Sequence, residues 1–268
     1  MQFVFSAAAE MAEYQKINAD VIKFKKLVKE CHPFALSTNN ELMYAPDSAY
    51  TQSHRHFSHA MAIHPLGLIK WEDGERSKSI IKNTIRQLDS IGPSNWNGYS
   101  YAWLANLKAR AKDGEGAAKA LQIFSSAFTS VNSFHVNGDQ TRSGFSSRTY
   151  RPFTLEGNFA AAAGLQEMLL QSYAGFIQIF PAIPASWETV SFTSLRAEGA
   201  YLVSAKKVER KIVEVNIISE KGGITKLKLP FKNYRISQAR GISVNKLENG
   251  FVQLNCEMHG TMTMMSSE

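Results

Sequence analysis

One short segment, HRHFSHAMAIHPLG (residues 54–67), concentrates the side chains most able to do chemistry, because it holds four of the seven histidines in the chain. Imidazole and guanidinium groups can bind metals, exchange protons, or donate hydrogen bonds to sugar hydroxyls and carboxylates. The segment could therefore be a metal site, a catalytic acid or base, or a carbohydrate clamp. It could also be a helix whose polar face is rich in imidazole.

Spacing argues against a zinc site in this segment. A helical zinc pair needs ligands at i and i+4, but Ala60 follows His56 at that distance and His59 follows Arg55. His54 and His56, two residues apart, fit a helix face poorly. We therefore expect no metal ligand set and no cofactor. We favour substrate contact by Arg55, His56 and His59, and a polar helix face without a function stays open.

Two further segments carry candidate residues. Glu156 stands where a polar loop turns into a predicted helix, a place suited to a general base but also to a carboxylate that stabilises the helix dipole. Asn158 is expected to orient that loop. In NWNGYSYAWLANL (residues 95–107) aromatic and amide side chains are interleaved. Trp96 and Asn97, at the helix start, are candidates to line a cleft, whereas Trp103 is expected in the core.

The elements that must position these side chains change character near residue 174. Before it, seven segments with apolar residues at helical spacing predict helices in hairpins, one of them over the histidine-rich segment. A polar loop over residues 132–153 is long enough to suggest a function. After residue 175, short alternating or β-branched segments predict an antiparallel β-sandwich. We expect an α+β chain with a helical domain over residues 1–174 and an all-β domain over 175–268.

Composition and charge limit the classes of function. Hydrophobic residues make up 44% of the chain and charged residues 20%, which is typical of a globular protein. The net charge is +7, but the lysines are scattered and no nucleic-acid-binding motif accompanies them, so we expect no nucleic-acid partner. No apolar run is long enough for a membrane span, and the first residues make a poor signal peptide. Cys31 and Cys256 lie in dissimilar segments, and we expect no disulfide between them.

Four collinear segments resemble glycoside hydrolase family 95, a family of inverting α-L-fucosidases and α-L-galactosidases. The segment HRHFSHAMAIHPLG is similar to the family motif HRH-x-SH-…-YPG. The segment NGYSYAWLANLKARAKDGEGAAKAL resembles the tryptophan helix and DGE hairpin of the family. The segment TLEGNFAAAAGLQEMLLQS resembles the family's IDGNFG segment. The strand that enters the family's C-terminal β domain is similar to GFIQIFPAIPASW. The resemblance covers roughly residues 1–205.

The resemblance implies the later, incomplete part of an (α/α)6 toroid of the six-hairpin type, with the general-acid glutamate upstream of this chain. Glu156 replaces the family's aspartate and is expected to be the base or to support it. Arg55, His56 and His59 would line the sugar pocket. His64 replaces the tyrosine of the YPG motif, so the family's sugar preference carries over weakly. The expected partner is an oligosaccharide or glycan, and the full-length parent is expected to be periplasmic or secreted.

Other interpretations stay open. An (α/α)6 glycosidase could act on another sugar such as rhamnose or arabinose. A non-catalytic carbohydrate-binding module fits the β domain, and a metal hydrolase would use the histidines as ligands. If the toroid is incomplete, apolar helix faces are exposed, which predicts a homodimer or poor solubility.

Overall fold

The computed structural model describes residues 1–267 and shows six α-helices followed mainly by antiparallel strands. This confirms the predicted mixture of helix and sheet. The helices are α1 (Gln2–Tyr14), α2 (Asn18–Glu30), α3 (Glu75–Ile91), α4 (Gly98–Arg110), α5 (Gly114–Ala127) and α6 (Glu156–Leu169), with 3₁₀ turns at Ser58–Ala62 and Trp71–Asp73. The strands are β1 (Leu170–Gln171), β2 (Gln178–Ile179), β3 (Val190–Ala197), β4 (Tyr201–Val208), β5 (Lys211–Ser219), β6 (Gly223–Lys228), β7 (Tyr234–Lys246) and β8 (Phe251–Ser266).

Helix α4 is the centre of the helical part and is buried on all sides except for Tyr99 and Lys108. It packs against both α5 and α6. Asn106 joins α4 to α6, because its side-chain amide donates to the carbonyl oxygens of Ala102 and Ala160, each at 2.9 Å. Gly164 lets the helices approach closely, since an added Cβ would lie 3.2 Å from Nδ2 of Asn106. The first residues of α4 and α6 are therefore held at the same end of a rigid pair.

The histidine-rich segment is not the helix that its sequence predicted. Apart from the short 3₁₀ turn Ser58–Ala62, residues 50–64 are irregular. Two backbone N–H groups that a helix would pair with carbonyl oxygens donate to side chains instead. The hydroxyl of Tyr50 accepts from the N–H of His54, and Nδ1 of His54 accepts from the N–H of His56, both at 3.1 Å. The helical face on which Arg55 and His59 were expected to lie four residues apart does not form.

The six strands β3–β8 are joined by hydrogen bonds into one antiparallel sheet. The long strand β8 organises it: β6 pairs with the first half of β8, β5 with the second half, and β7 with nearly its full length. The β7–β8 register shifts around Gly241, which adopts φ +65°. The described strands form one curled, continuously hydrogen-bonded sheet, and its packing as a two-layer sandwich stays a prediction. Closure of the helices into a toroid stays a prediction.

A cluster of largely buried charges lies where the ends of α4 and α6 meet the segment that follows β1. The Arg110 guanidinium donates to Glu167 through Nε at 2.7 Å and Nη2 at 2.6 Å, and it lies 3.3 Å from the ring centre of Tyr173. Lys112 pairs with Glu72 at 2.9 Å. We call Glu72, Arg110, Lys112, Glu167 and Tyr173 the joint cluster. Its two carboxylates and two cations neutralise one another.

His64, where the family motif has tyrosine, belongs to this joint and not to a sugar site. Its carbonyl oxygen accepts from Nε1 of Trp103 at 3.0 Å, and its Nδ1 lies 4.0 Å from a carboxylate oxygen of Glu167. Burial, and then the charge of Arg110, lower the pKa of His64 to about 3. The imidazole is therefore neutral at ordinary pH.

No helix within residues 1–267 is both long and apolar enough to cross a membrane.

Candidate active site

A cleft of about 1020 Å³ opens where three segments of the helical part meet. They are the irregular segment 44–58, the first part of α4, and the polar loop together with the residues that lead into α6. Polar side chains dominate its chemistry, and Glu156 is the one carboxylate among the described residues that line it. The lining residues that carry the argument are Arg55, His56, Asn97, Tyr99, Arg148 and Glu156.

Arg55 and His56 present donors to this cleft. The backbone of Arg55 is fixed, because its carbonyl oxygen accepts from Oγ of Ser100 in α4 at 2.8 Å. Its guanidinium has no acceptor within residues 1–267. His56 is exposed, and desolvation, followed by the charges of Arg55 and His54, lowers its pKa. A neutral imidazole and an unpaired guanidinium suit hydroxyl groups and carboxylates as ligands.

Asn97 caps helix α4 and connects the three segments. Its Oδ1 accepts from the backbone N–H of Ser100 at 3.2 Å, as an N-cap residue does. Its Nδ2 donates to Oδ1 of Asn137, in the polar loop, at 3.3 Å. The Ser100 hydroxyl in turn reaches the Arg55 backbone. Asn97 is nearly buried, yet it borders the cleft, so its amide is held rigidly at the cleft floor.

Glu156 is the first residue of α6 and its side chain is exposed to the cleft. No side chain or backbone group of the described chain bonds or pairs with its carboxylate. Burial, with a smaller contribution from the Glu156 charge, raises the pKa of Tyr99 across the cleft. An unpaired carboxylate at a helix N-terminus is stabilised by the helix dipole and remains available to a substrate or a water molecule.

Two of the residues predicted to contact sugar lie beneath the cleft instead of on its surface. His59 is 7% exposed and stacks on Tyr50 with ring centroids 4.9 Å apart. Neither ring nitrogen of His59 finds a partner in residues 1–267, and burial lowers its pKa to about 4. Trp96 is 2% exposed and packs on Phe57 and Tyr101. Apolar aromatic packing removes both from the solvent side of the wall, so a supporting position replaces the predicted contact.

Asn158 also lies outside the cleft lining, and it ties the polar loop to α6. Its Nδ2 donates to the carbonyl oxygen of Ser133, and its Oδ1 accepts from the backbone N–H of His135, both at 2.8 Å. These two hydrogen bonds hold the loop against the start of α6, and the loop-orienting role expected for Asn158 stays a proposal. The sequence named it together with the substrate-binding residues, but it reaches the cleft only through the loop that it holds.

The polar loop is ordered by a buried carboxylate that the sequence did not single out. Asp139 accepts from the backbone N–H groups of Thr141, Arg142 and Phe145 at 2.9–3.1 Å, and from the Thr141 hydroxyl at 2.6 Å. Burial alone would raise the pKa of Asp139, but these hydrogen bonds hold it below its usual range. The loop therefore presents a fixed surface to the cleft.

Three lining residues in this loop, and a fourth directly after it, were missed by sequence reasoning. They are Asn137, Arg148, Tyr150 and Thr154. The Arg148 backbone is held by Asp139, whose N–H donates to the Arg148 carbonyl oxygen at 2.8 Å. Its guanidinium has no acceptor in the part of the chain that the structure describes. The length of the loop was the available signal, but length does not indicate which of its side chains face inward.

The described histidines, cysteines and carboxylates form no group of three or more that could hold a metal ion. In the cleft segment, His54 and His56 pack edge to face, with centroids 5.3 Å apart, while His59 lies beneath the surface. The cleft lining therefore combines hydrogen-bond donors, one carboxylate and aromatic rings.

Comparison with known proteins agrees with the resemblance seen in the sequence. Residues 1–169 match the model of the glycosyl hydrolase family 95 catalytic domain, and residues 171–264 match that of the family 95 C-terminal domain. Alpha-L-fucosidase 2 of Arabidopsis thaliana is 30% identical over 168 residues, which are 62% of this chain and 19% of that protein. The match thus spans about a fifth of the length of that relative. The chain belongs to glycoside hydrolase family 95.

Proposed function

We propose that this chain forms one wall of the sugar pocket of an inverting, exo-acting glycoside hydrolase for α-L-fucosides or related glycans. The observation that carries the proposal is the unpaired Glu156 carboxylate, exposed in a cleft whose other polar groups are mostly donors. Membership of family 95 and the similarity to a protein named alpha-L-fucosidase 2 support the reaction and the substrate class.

Glu156 is assigned to the base side of the reaction. An inverting glycosidase uses two carboxyl groups about 6.5–9.5 Å apart, so that a water molecule fits between the base and the sugar. A glutamate reaches one methylene further than the aspartate of the family motif, so it can approach that water directly or support an amide that does. Asn97, rigid at the cleft floor, would hold the sugar or the water in place.

The donors around Glu156 are assigned to the sugar hydroxyls. Arg55 and Arg148 have unpaired guanidinium groups on different segments of the cleft, and His56 adds a neutral imidazole. Tyr99, whose ring packs edge to face on buried Trp103 at 5.7 Å, offers an apolar surface for the C–H groups of a sugar ring. Buried His59 and Trp96 support this wall from behind.

The test is Glu156→Gln, assayed for α-L-fucoside hydrolysis in the protein at its natural length. We expect turnover to fall by about 100- to 10,000-fold, because loss of a positioned proton acceptor has that effect. Glu75→Gln is the matched control, since Glu75 is also the exposed first residue of a helix but lies outside the cleft. Near-normal turnover of the Glu156 variant would refute the assignment.

A second candidate, carbohydrate binding without hydrolysis, is favoured by one observation: the described cleft lining contains a single carboxylate. Inversion requires two, so a second must come from chain outside the cleft described here. Calorimetric titration of L-fucose into residues 1–268, with a parallel hydrolysis assay, separates the candidates. Binding and hydrolysis only at natural length support the enzyme, whereas binding without hydrolysis in both forms supports the binding module.

A further inference from the structure

Between the helix starts that carry Asn97 and Glu156 lies a buried histidine, His135, which is not part of the cleft lining. It follows α5 in the polar loop and is fully buried. Its ring stacks on Phe124 with centroids 5.5 Å apart. No contact with a substrate is available to it, so any effect on the cleft must act through its neighbours.

The imidazole fills the space between α4 and α6 so closely that only glycine fits on either side. A Cβ built on Gly157, in the first turn of α6, would lie 2.5 Å from both Cγ and Nδ1 of His135. A Cβ built on Gly98, the first residue of α4, would lie 2.5 Å from Cδ2. Each glycine directly follows a cleft residue, Asn97 and Glu156. The ring therefore sits against the two peptide units that position them.

Hydrogen bonds fix the orientation and the tautomer of this ring. Nδ1 lies 2.9 Å from the carbonyl oxygen of Thr154, which can only accept, so Nδ1 carries the proton. The Thr154 hydroxyl is also 2.8 Å from Nδ1. The backbone N–H of His135 donates to Asn158, and its carbonyl oxygen accepts from the N–H of Thr154. The ring is thus anchored to the residues on both sides of Glu156.

The second ring nitrogen, Nε2, is buried without a partner among residues 1–267. Desolvation lowers the pKa of His135, although the Thr154 carbonyl and the Glu156 charge act in the opposite direction. A buried acceptor without a partner carries a cost in stability. A histidine that served packing alone would be replaced by an aromatic hydrocarbon ring at less cost, whereas the hydrogen bond to the Thr154 carbonyl requires a side chain with an N–H donor.

We propose that His135 is a positioning residue that sets the separation and orientation of Asn97 and Glu156 by holding the starts of α4 and α6 apart as a neutral, Nδ1-protonated spacer. The effect on catalysis rests on the function proposed above, whereas the spacer itself does not. Small errors in the position of a catalytic group are costly, since a misplacement of about 1 Å can reduce a rate by about 100-fold.

Two experiments on the spacer do not depend on any activity. In long-range ¹⁵N–¹H NMR spectra near neutral pH, we expect the His135 ring to show protonated Nδ1 and bare Nε2. In His135→Ala, we expect the amide signals of Gly98 and Gly157 to move together while those of strands β3–β5 stay in place. A charged or Nε2-protonated ring, or unmoved glycine signals in a folded variant, would overturn the proposal even if the protein hydrolyses nothing.

Kinetics at natural length then test the consequence for the reaction. We expect His135→Ala to lower kcat by about 100-fold with much less change in KM. His135→Gln, which keeps an N–H donor for Thr154, should recover more activity than His135→Phe, which fills the space without one. Leu88→Ala, in the buried core of α3, controls for general loss of stability. Equal loss of kcat in that control, or Phe outperforming Gln, would contradict the positioning role.

Discussion

The cleft and the joint cluster contain the same kinds of side chain in opposite states. In the joint cluster, Arg110 is bidentate with Glu167, and Lys112 pairs with Glu72, all in largely buried positions. In the cleft, Arg148 and Glu156 have no protein partner within the described residues. Paired, largely buried charges connect the ends of α4 and α6, whereas unpaired charges at the open cleft are available to a ligand.

The difference shows how residues of one type divide between stability and function. Burying a charge is costly unless a partner compensates it, so the joint cluster depends on every member. A charge beside open solvent stays hydrated and needs no partner. Substitutions in the joint cluster should therefore reduce the stability of the fold, and substitutions in the cleft should reduce ligand binding or turnover at nearly constant stability.

The largest expected effect on stability comes from breaking the buried pair. Glu167→Ala leaves Arg110 buried and uncompensated, and we expect the free energy of unfolding to fall by about 3–5 kcal/mol. Urea unfolding followed by tryptophan fluorescence measures it. The matched control is Glu188→Ala, which breaks the exposed pair of Glu188 with Arg210 and should cost at most about 1 kcal/mol. Similar losses in the two variants would remove the distinction between the regions.

The second prediction concerns how the free energy of unfolding changes with pH because of His59, the buried histidine beneath the cleft. His59 has a pKa of about 4 in the folded protein and about 6.5 when unfolded, so the unfolded chain binds the extra proton in this interval. Stability contributed by the neutral ring is present above about pH 6.5 and is lost as the pH falls towards 4, by about 1.4 kcal/mol per unit.

In His59→Phe, the free energy of unfolding should therefore fall less steeply as the pH is lowered over that range. The variant should be no less stable near neutral pH, because neither ring nitrogen of His59 has a partner in residues 1–267. Urea unfolding at several pH values measures the slope. Tyr50→Phe keeps the histidine and its stacking partner and should retain the original slope. An unchanged slope in the His59 variant would show that this ring is not the group responsible.

The sequence predicted the parts of the fold that depend on local pattern. Helices with a clear apolar stripe, such as α3, and the alternating strands of the sheet form where periodicity placed them. The prediction of a helix around His54 was wrong, because side chains there form hydrogen bonds with the backbone N–H groups that a helix would use. The order of the strands was not predicted, because the pairing of both β5 and β6 with β8 is a long-range choice that alternation does not encode.

The candidate site was predictable where a residue type is tied to a helix start, and much less so elsewhere. Glu156 and Asn97 both stand at N-termini, and both face the cleft. His59 and Trp96 are buried and do not line the cleft, because an aromatic side chain that could stack on a sugar packs equally well in a core. Arg148 was missed because its direction depends on the turn around Asp139, which has no periodic pattern.

The smallest predicted effect falls on ligand binding rather than on folding. Arg148→Met removes unpaired donors from the cleft, and we expect stability to change by no more than about 0.5 kcal/mol. Affinity for L-fucose or an α-L-fucoside should fall by about tenfold, equivalent to about 1.4 kcal/mol. Calorimetric titration measures the affinity, and Arg86→Met, an exposed arginine on α3 outside the cleft, is the control. If Arg148→Met destabilised the fold without weakening binding, Arg148 would contribute to stability, as the residues of the joint cluster do. The absence of a protein partner would then no longer distinguish ligand-binding charges in the cleft from structural ones.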